Sequence, residues 1–298
     1  MTDKQIADFI ASWSTEFVTR LADLENQLNK RVLFIQENIF DALLEQIRDR
    51  LDITDGRIER TAANIQRVNR FGATFNIMQR AAIARELRNF ASEVVDVANF
   101  SAAYFEEMDF GVKRLQVENA LDLVRATIGI SKDGAILPGS YLERLGTAAE
   151  VREEIRAYVV NAINSRAAYS DFTKGFAQLI KGSKDVDGAY LRYWRQYAYD
   201  TFNQTHEIVN GALAEDLKLK YFIYQGSVID NTRDFCRKKA GKVFSTDEAL
   251  KLWPNDPALI DKKTKAQYRP LIDRGRYNCR HFLTYISEAT AKKLRPDL

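Results

Sequence analysis

The chain has 298 residues, 46% hydrophobic and 29% charged, which fits one large or two ordinary globular domains with length enough to bury a core. No apolar run approaches the roughly 18 residues of a membrane span, the start MTDKQIADFIASW lacks the long apolar stretch of a secretory leader, and two cysteines make no disulfide framework, so a reducing compartment away from membranes is expected. Net charge is +3 but uneven, with +9 from Leu217 to Leu298 and −6 on the rest, so a basic end joins an acidic body.

Residues 4–51 read as one long helix. Phe17, Leu21, Leu24, Leu28, Val32, Ile35, Ile39, Leu43 and Ile47 follow at steps of three or four and form one stripe. Phe40 and Leu44 widen it, as in a bundle helix, while Asn29 belongs to the solvated face. Thr54 or Asp55 is expected to cap a second helix from Gly56, which FGATF at 71–75 breaks. A third helix runs from Asn76 to Glu107 through Ile83, Leu87, Phe90, Val94 and Val97, and a fourth follows Gly111 through Leu115, Leu121 and Val124.

SKDGAILPGS at 131–140 is the clearest punctuation in this half and marks a boundary. Thr147 is expected to cap a helix through Val151, Ile155, Val159 and Ile163. A short helix at 170–183 ends at Gly182. Asp187 opens a helix from Gly188 to Leu217 whose Tyr190, Tyr193, Trp194, Tyr197 and Tyr199 have the spacing of a packing face rather than of a base-stacking platform.

After Leu217 the texture changes. KYFIYQGSV reads as a strand, Asp230 is placed to cap a short helix closed by Gly241, and KVFS is a second strand. Ser245 and Glu248 have capping-box spacing for the helix EALKLW. Residues 255–273 read as a loop, and YNCRHFLTYIS as a third strand. The expected fold is mainly α: a long-helix bundle followed by a small α+β module with a short sheet. It divides as 1–135, 136–217 and 218–298.

Alternation along the third strand puts Cys279 and His281 on one face, about 7 Å apart at the backbone. With Cys236 and His206 they are the chain's only cysteines and histidines, all in its last third. Zinc is the natural metal for such a set, although no cofactor is demanded and only one close ligand pair is present. Packed thiols, or a Cys236–Cys279 disulfide, account for the same residues. A Cys279 nucleophile with His281 as base has no orienting carboxylate that the sequence identifies. Arg233 and Arg280 read as members of a structural ion-pair network.

Tyr224, Gly226, Asp230, Thr232, Arg233, Cys236, Gly241, Asn278, Cys279 and Arg280, in this order and spacing, resemble the phage Mu F-like head morphogenesis proteins, the minor head or minor capsid proteins of tailed phages. Thr201 and Asn210-Gly211 in the preceding helix, and SDFTKGFAQLI before that, extend the resemblance over about 170–287. Phe202 stands where that family has an acidic residue, Arg274-Gly-Arg-Tyr277 where it has a proline-histidine lead-in, and His281 where it has a second cysteine. The resemblance implies a structural virion component and not an enzyme. It would occupy the capsid interior or portal vertex in several copies, in the host cytoplasm during assembly. Its partners would be portal or major capsid subunits and packaged double-stranded DNA. The candidate DNA contacts are Arg237, Lys238, Lys239, Lys242, Lys262, Lys263 and Lys265. Two other readings compete: a phage-borne toxin or nuclease using Arg233, Arg280 and His281, and a non-catalytic DNA-binding or scaffolding module.

Overall fold

A computed structural model describes residues 2–259, 268–276 and 279–298, with backbone alone at 3 and 71–82. The elements are, in chain order, α1 (Asp3–Arg50), β1 (Ile53–Thr54), β2 (Arg57–Ile58), α2 (Ala62–Glu107), α3 (Arg114–Ile128), α4 (Tyr141–Thr147), α5 (Ala149–Asn164), α6 (Tyr169–Lys181) and α7 (Ala189–Asp216). Then follow β3 (Tyr221–Gln225), α8 (Asp234–Lys239), β4 (Val243–Ser245), α9 (Thr246–Leu252), a 3-10 turn at Trp253–Asn255, α10 (Pro270–Asp273), β5 (Phe282–Ile286) and α11 (Glu288–Leu294). The protein is mainly helical with a small antiparallel sheet near its C-terminal end, ordered β4-β3-β5. Among the described residues no helix is long and apolar enough to cross a membrane.

The contacts group the chain into two compact units. One comprises Met1–Leu24, Ser92–Thr127 and Ala198–Leu298; the other comprises Glu25–Ala91 and Ile128–Tyr197. Divisions at 135 and 217 do not separate them, because α1, α2 and α7 each supply residues to both.

In the second unit, Ile39, Phe40, Leu43 and Ile47 of α1 are buried together with Ile83, Leu87 and Phe90 of α2, and with the full predicted stripe of α5. Burying such side chains is worth roughly 1.5–3 kcal/mol each. Asn29 is buried too, against expectation, and accepts a hydrogen bond from Arg195 Nε at 3.3 Å. The helix start expected at Thr54-Asp55-Gly56 is instead a hairpin. Asp55 and Gly56 both have positive φ, 48° and 70°, the conformation a tight two-residue hairpin turn demands, and Asp-Gly suits it. The helix cap falls later, where Thr61 Oγ1 accepts from the Asn64 amide at 3.1 Å. Asn64 itself is fully buried. It accepts from the Asp52 amide at 3.0 Å and donates to the carbonyls of Asp52 and Glu59 at 3.2 and 2.8 Å, tying hairpin to helix.

No break occurs at 71–75, where the backbone of α2 stays helical. A single glycine costs a helix only about 1 kcal/mol, and 45 other residues propagate it. Thr147 is likewise not a cap. It ends α4, donating from Oγ1 to the Arg144 carbonyl, and the turn into α5 is made by Ala148 at φ 38°. Gly182 closes α6 as its position predicts, and Tyr190, Tyr193, Trp194 and Tyr199 are buried as a packing face.

In the first unit, β3 is the central strand. Its register pairs Phe222 with Phe244 and Tyr285, and Tyr224 with Leu283. Trp253 is buried against the sheet, with Phe222, Tyr224, Phe235 and Phe244 meeting it edge to face at 5.5–5.8 Å. Such pairs add about 0.5–1.5 kcal/mol each beyond burial. Ser245 and Glu248 form the expected capping box. Asp230, however, caps nothing: α8 starts four residues later behind Arg233, and it is Thr232 Oγ1 that accepts a local amide, from Ile229 at 2.7 Å. The loop expected over 255–273 contains α10. Strand β5 is shorter than expected and begins after His281, and a capped helix, α11, follows it.

Candidate functional site

Three chain segments meet beside the C-terminal half of β3. Helix α8 brings Cys236, the segment leading into β5 brings Cys279 and His281, and β3 brings Tyr224. Cys279 lies ahead of β5, its amide donating to the Arg276 carbonyl at 3.0 Å, so its closeness to His281 does not come from strand alternation. The two sulfurs are 3.7 Å apart and both cysteines are free thiols. The ligand atoms of Cys236, Cys279 and His281 all lie within 4.8 Å of one another, and each residue is about 2–3% exposed. The Tyr224 hydroxyl stands 3.3 Å from Cys236 Sγ and 3.6 Å from Cys279 Sγ, and its ring stacks on His281 at 5.2 Å.

Backbone packing sets these distances. Gly226 has φ 131°, and a Cβ there would fall 2.7 Å from the Arg280 carbonyl oxygen and 2.8 Å from His281 Cα. Only glycine lets β3 leave the sheet this close to the incoming chain. A Cβ on Gly275 would lie 2.3 Å from Cys236 Sγ, so bare backbone packs on the sulfurs. Arg233 Nη1 donates to the Gly275 carbonyl at 2.9 Å and fixes that segment to α8.

The contact between the two sulfurs sets the local electrostatics. The hydrogen bond to Cys279, then burial, pushes the Cys236 thiol up; the same bond, aided by His281 and Arg274, pulls Cys279 well below the usual thiol range. Burial, ahead of the nearby sulfurs, holds the Tyr224 phenol protonated. The arrangement suits packing or cation binding by soft ligands.

His206 is not part of the cluster. It lies in an aromatic box with Phe17 at 4.2 Å, Trp13 at 5.4 Å and Phe282 at 5.7 Å. Ser101 Oγ already donates to the Val97 carbonyl, so His206 Nδ1 donates to Ser101 at 2.8 Å and Nε2 accepts from Asn210 at 2.8 Å. Neither nitrogen is left for a metal. Burial foremost, and the charge of Arg274, drive its pKa well below the ordinary value.

Sequence reasoning missed Glu207 and Arg274. They form a buried ion pair under β5, and Glu207 also accepts the Leu283 amide at 2.9 Å. Burial lifts the Glu207 carboxyl to about 7 against the opposing pull of Arg274. Asn210, one turn on, donates to the Leu283 carbonyl at 2.8 Å, and Tyr104 donates to the Tyr285 carbonyl at 2.7 Å. Side chains thus satisfy the outer edge of β5, which would otherwise expose pairing groups. The Glu207/Asn210 spacing on one helix face was the available signal; nothing local pointed to Arg274.

Arg280 is exposed, its guanidinium 5.1 Å over the Tyr199 ring, while His281 is buried and Arg233 Nη1 is bonded to the Gly275 carbonyl. Among the DNA-contact candidates, Lys238 and Lys242 are exposed; Arg237 is exposed but donates to the carbonyls of Ile229, Asp230 and Thr232. Lys239 is buried, paired with Asp256 and set 3.8 Å over Phe235, so it is a core residue. Lys262, Lys263, Lys265 and Asn278 lie outside the described residues. No family model, curated protein or solved structure gives a significant match to the chain.

Proposed function

We infer that this protein is a structural component of a tailed-phage head, a minor head protein acting in morphogenesis near the portal, with its basic C-terminal residues toward packaged DNA. The observation that carries this reading is convergence. Tyr224, Gly226, Thr232, Arg233, Cys236, Gly241 and Cys279, which resemble the Mu F-like pattern, are spread over 56 positions yet all serve one small architecture. Tyr224 and the cysteines form its inner cluster, Gly226 permits the crossing of β3 with the His281 segment, and Arg233 ties α8 to Gly275. Gly241, at φ 75°, turns the chain from α8 into β4. Each role is architectural, and His281, which a nuclease or toxin would need accessible, is buried, which favours the structural reading.

Protein mass spectrometry of gradient-purified procapsids and virions from the producing host tests it. The chain is expected in the particles at several copies per head. Its absence from both procapsids and virions would contradict the assignment.

A further inference from the structure

The geometry points to a zinc site built by Cys236, Cys279 and His281, with the fourth coordination position taken by water. Two Zn–S bonds of about 2.3 Å at a tetrahedral angle place their sulfurs about 3.8 Å apart. The sulfurs here are 3.7 Å apart, whereas a disulfide requires about 2.05 Å. An imidazole nitrogen within reach of both completes a soft, nitrogen-and-sulfur donor set of the kind that selects zinc over calcium or magnesium.

The imidazole supplies an independent reason. His281 is 2% exposed, and neither ring nitrogen has a nitrogen or oxygen hydrogen-bond partner among the described residues, the Cys279 sulfur being the polar atom that it faces. Buried polar atoms are rarely left so, because each orphan costs about 1–3 kcal/mol. The chain's other histidine shows the contrast: His206 is equally buried and both its nitrogens are satisfied, by Ser101 and Asn210. A metal on one nitrogen would satisfy that atom and leave a single orphan in the ring.

The surroundings complete the fit. The Tyr224 hydroxyl, 3.3 and 3.6 Å from the sulfurs, is placed to donate to a metal-bound thiolate, the outer contact that orients a ligand. Two thiolates neutralise a divalent ion, so the site can stay buried without an uncompensated charge. Binding displaces the thiol protons to solvent and joins α8 to the segment that leads into β5. The site would take zinc whether or not the chain enters a phage head.

The test uses the full chain, purified under reducing conditions and analysed for metals. About one zinc per chain is expected. After chelation, Co2+ added alone should give thiolate-to-cobalt charge-transfer absorption and the visible bands of a tetrahedral ion. Cys279→Ser and His281→Ala should abolish or weaken them. Tyr224→Phe keeps the ring stack and should lower zinc affinity roughly 10–100-fold with the fold intact by circular dichroism. His206→Gln should leave the cobalt spectrum unchanged. Four results would overturn the assignment: wild-type chain that holds no metal and gives no charge-transfer band, copper in place of zinc, a Cys236–Cys279 disulfide in the reduced preparation, or a band that persists in folded Cys279→Ser.

Discussion

Glu207 on helix α7 and Leu283 on the edge strand β5 are joined by a carboxylate-to-amide hydrogen bond of 2.9 Å, made by the same carboxylate that pairs with Arg274. One side chain therefore closes the sheet edge and neutralises a buried guanidinium. Glu207→Ala should destabilise the protein by about 3–5 kcal/mol, because it leaves Arg274 buried without a counter-charge. Glu207→Gln keeps an acceptor for Leu283 and should cost less. Urea denaturation of the three proteins checks the order; an alanine variant as stable as wild type would contradict it.

His206 makes stability depend on pH. Its folded pKa lies well below the unfolded value of 6.5, because burial disfavours the imidazolium. The stabilising contribution is thus fully present above pH 6.5 and is lost as pH falls below it, with a limiting slope of about 1.4 kcal/mol per pH unit. His206→Gln removes this titration. Its stability deficit relative to wild type should shrink between pH 7 and pH 5. A deficit that stays constant over that range would rule out His206 as the source.

At Gly226 both conformation and space exclude a side chain. Gly226→Ala would adopt φ 131° with its Cβ against the Arg280 carbonyl. The expected loss is about 1–3 kcal/mol of strain, or more if the strand shifts. Thermal denaturation should show a clearly lower Tm than wild type, and an unchanged Tm would mean that the crossing at His281 is looser than described.

Within the basic end, exposure divides the lysines. On the proposed contact with DNA, Lys238→Ala and Lys242→Ala should each weaken sequence-independent binding and reduce its salt slope by about one. Lys239→Ala should instead lower stability, since that ammonium is buried over Phe235 beside Asp256. Filter binding across a salt series, with denaturation of the same variants, separates the two effects. The reverse pattern would contradict the placement of these side chains.

Much of the fold was legible because long helices announce themselves by periodicity. The α1 stripe from Phe17 to Ile47, the α5 stripe and the Ser245/Glu248 capping box are repeated or paired local signals. The errors arose where one local rule competed with another. Thr54-Asp55-Gly56 carries both cap and hairpin chemistry, and the burial of Ile58 and the bonds of Asn64 settle it as a hairpin. Gly72 looked like a breaker, yet its helix-breaking cost is small beside the propagation of a 46-residue helix. In the cluster, the closeness of Cys279 and His281 was legible, but for the wrong reason. His206 was grouped with them by residue type alone, while the aromatic box that claims it is assembled from Trp13, Phe17 and Phe282, far apart in sequence. Arg274 pairs across 67 positions with Glu207, a relation with no local trace.

The reading of this chain as a head component is tested most directly by a cryo-electron microscopy reconstruction of purified heads, computed without imposed symmetry at the portal vertex. Density is expected at the portal or inner capsid surface, into which α7, β3 and β5 with the Cys236–Cys279–His281 cluster can be built. Heads that reconstruct completely with no density for this chain, while the protein stays free in the lysate, would contradict it.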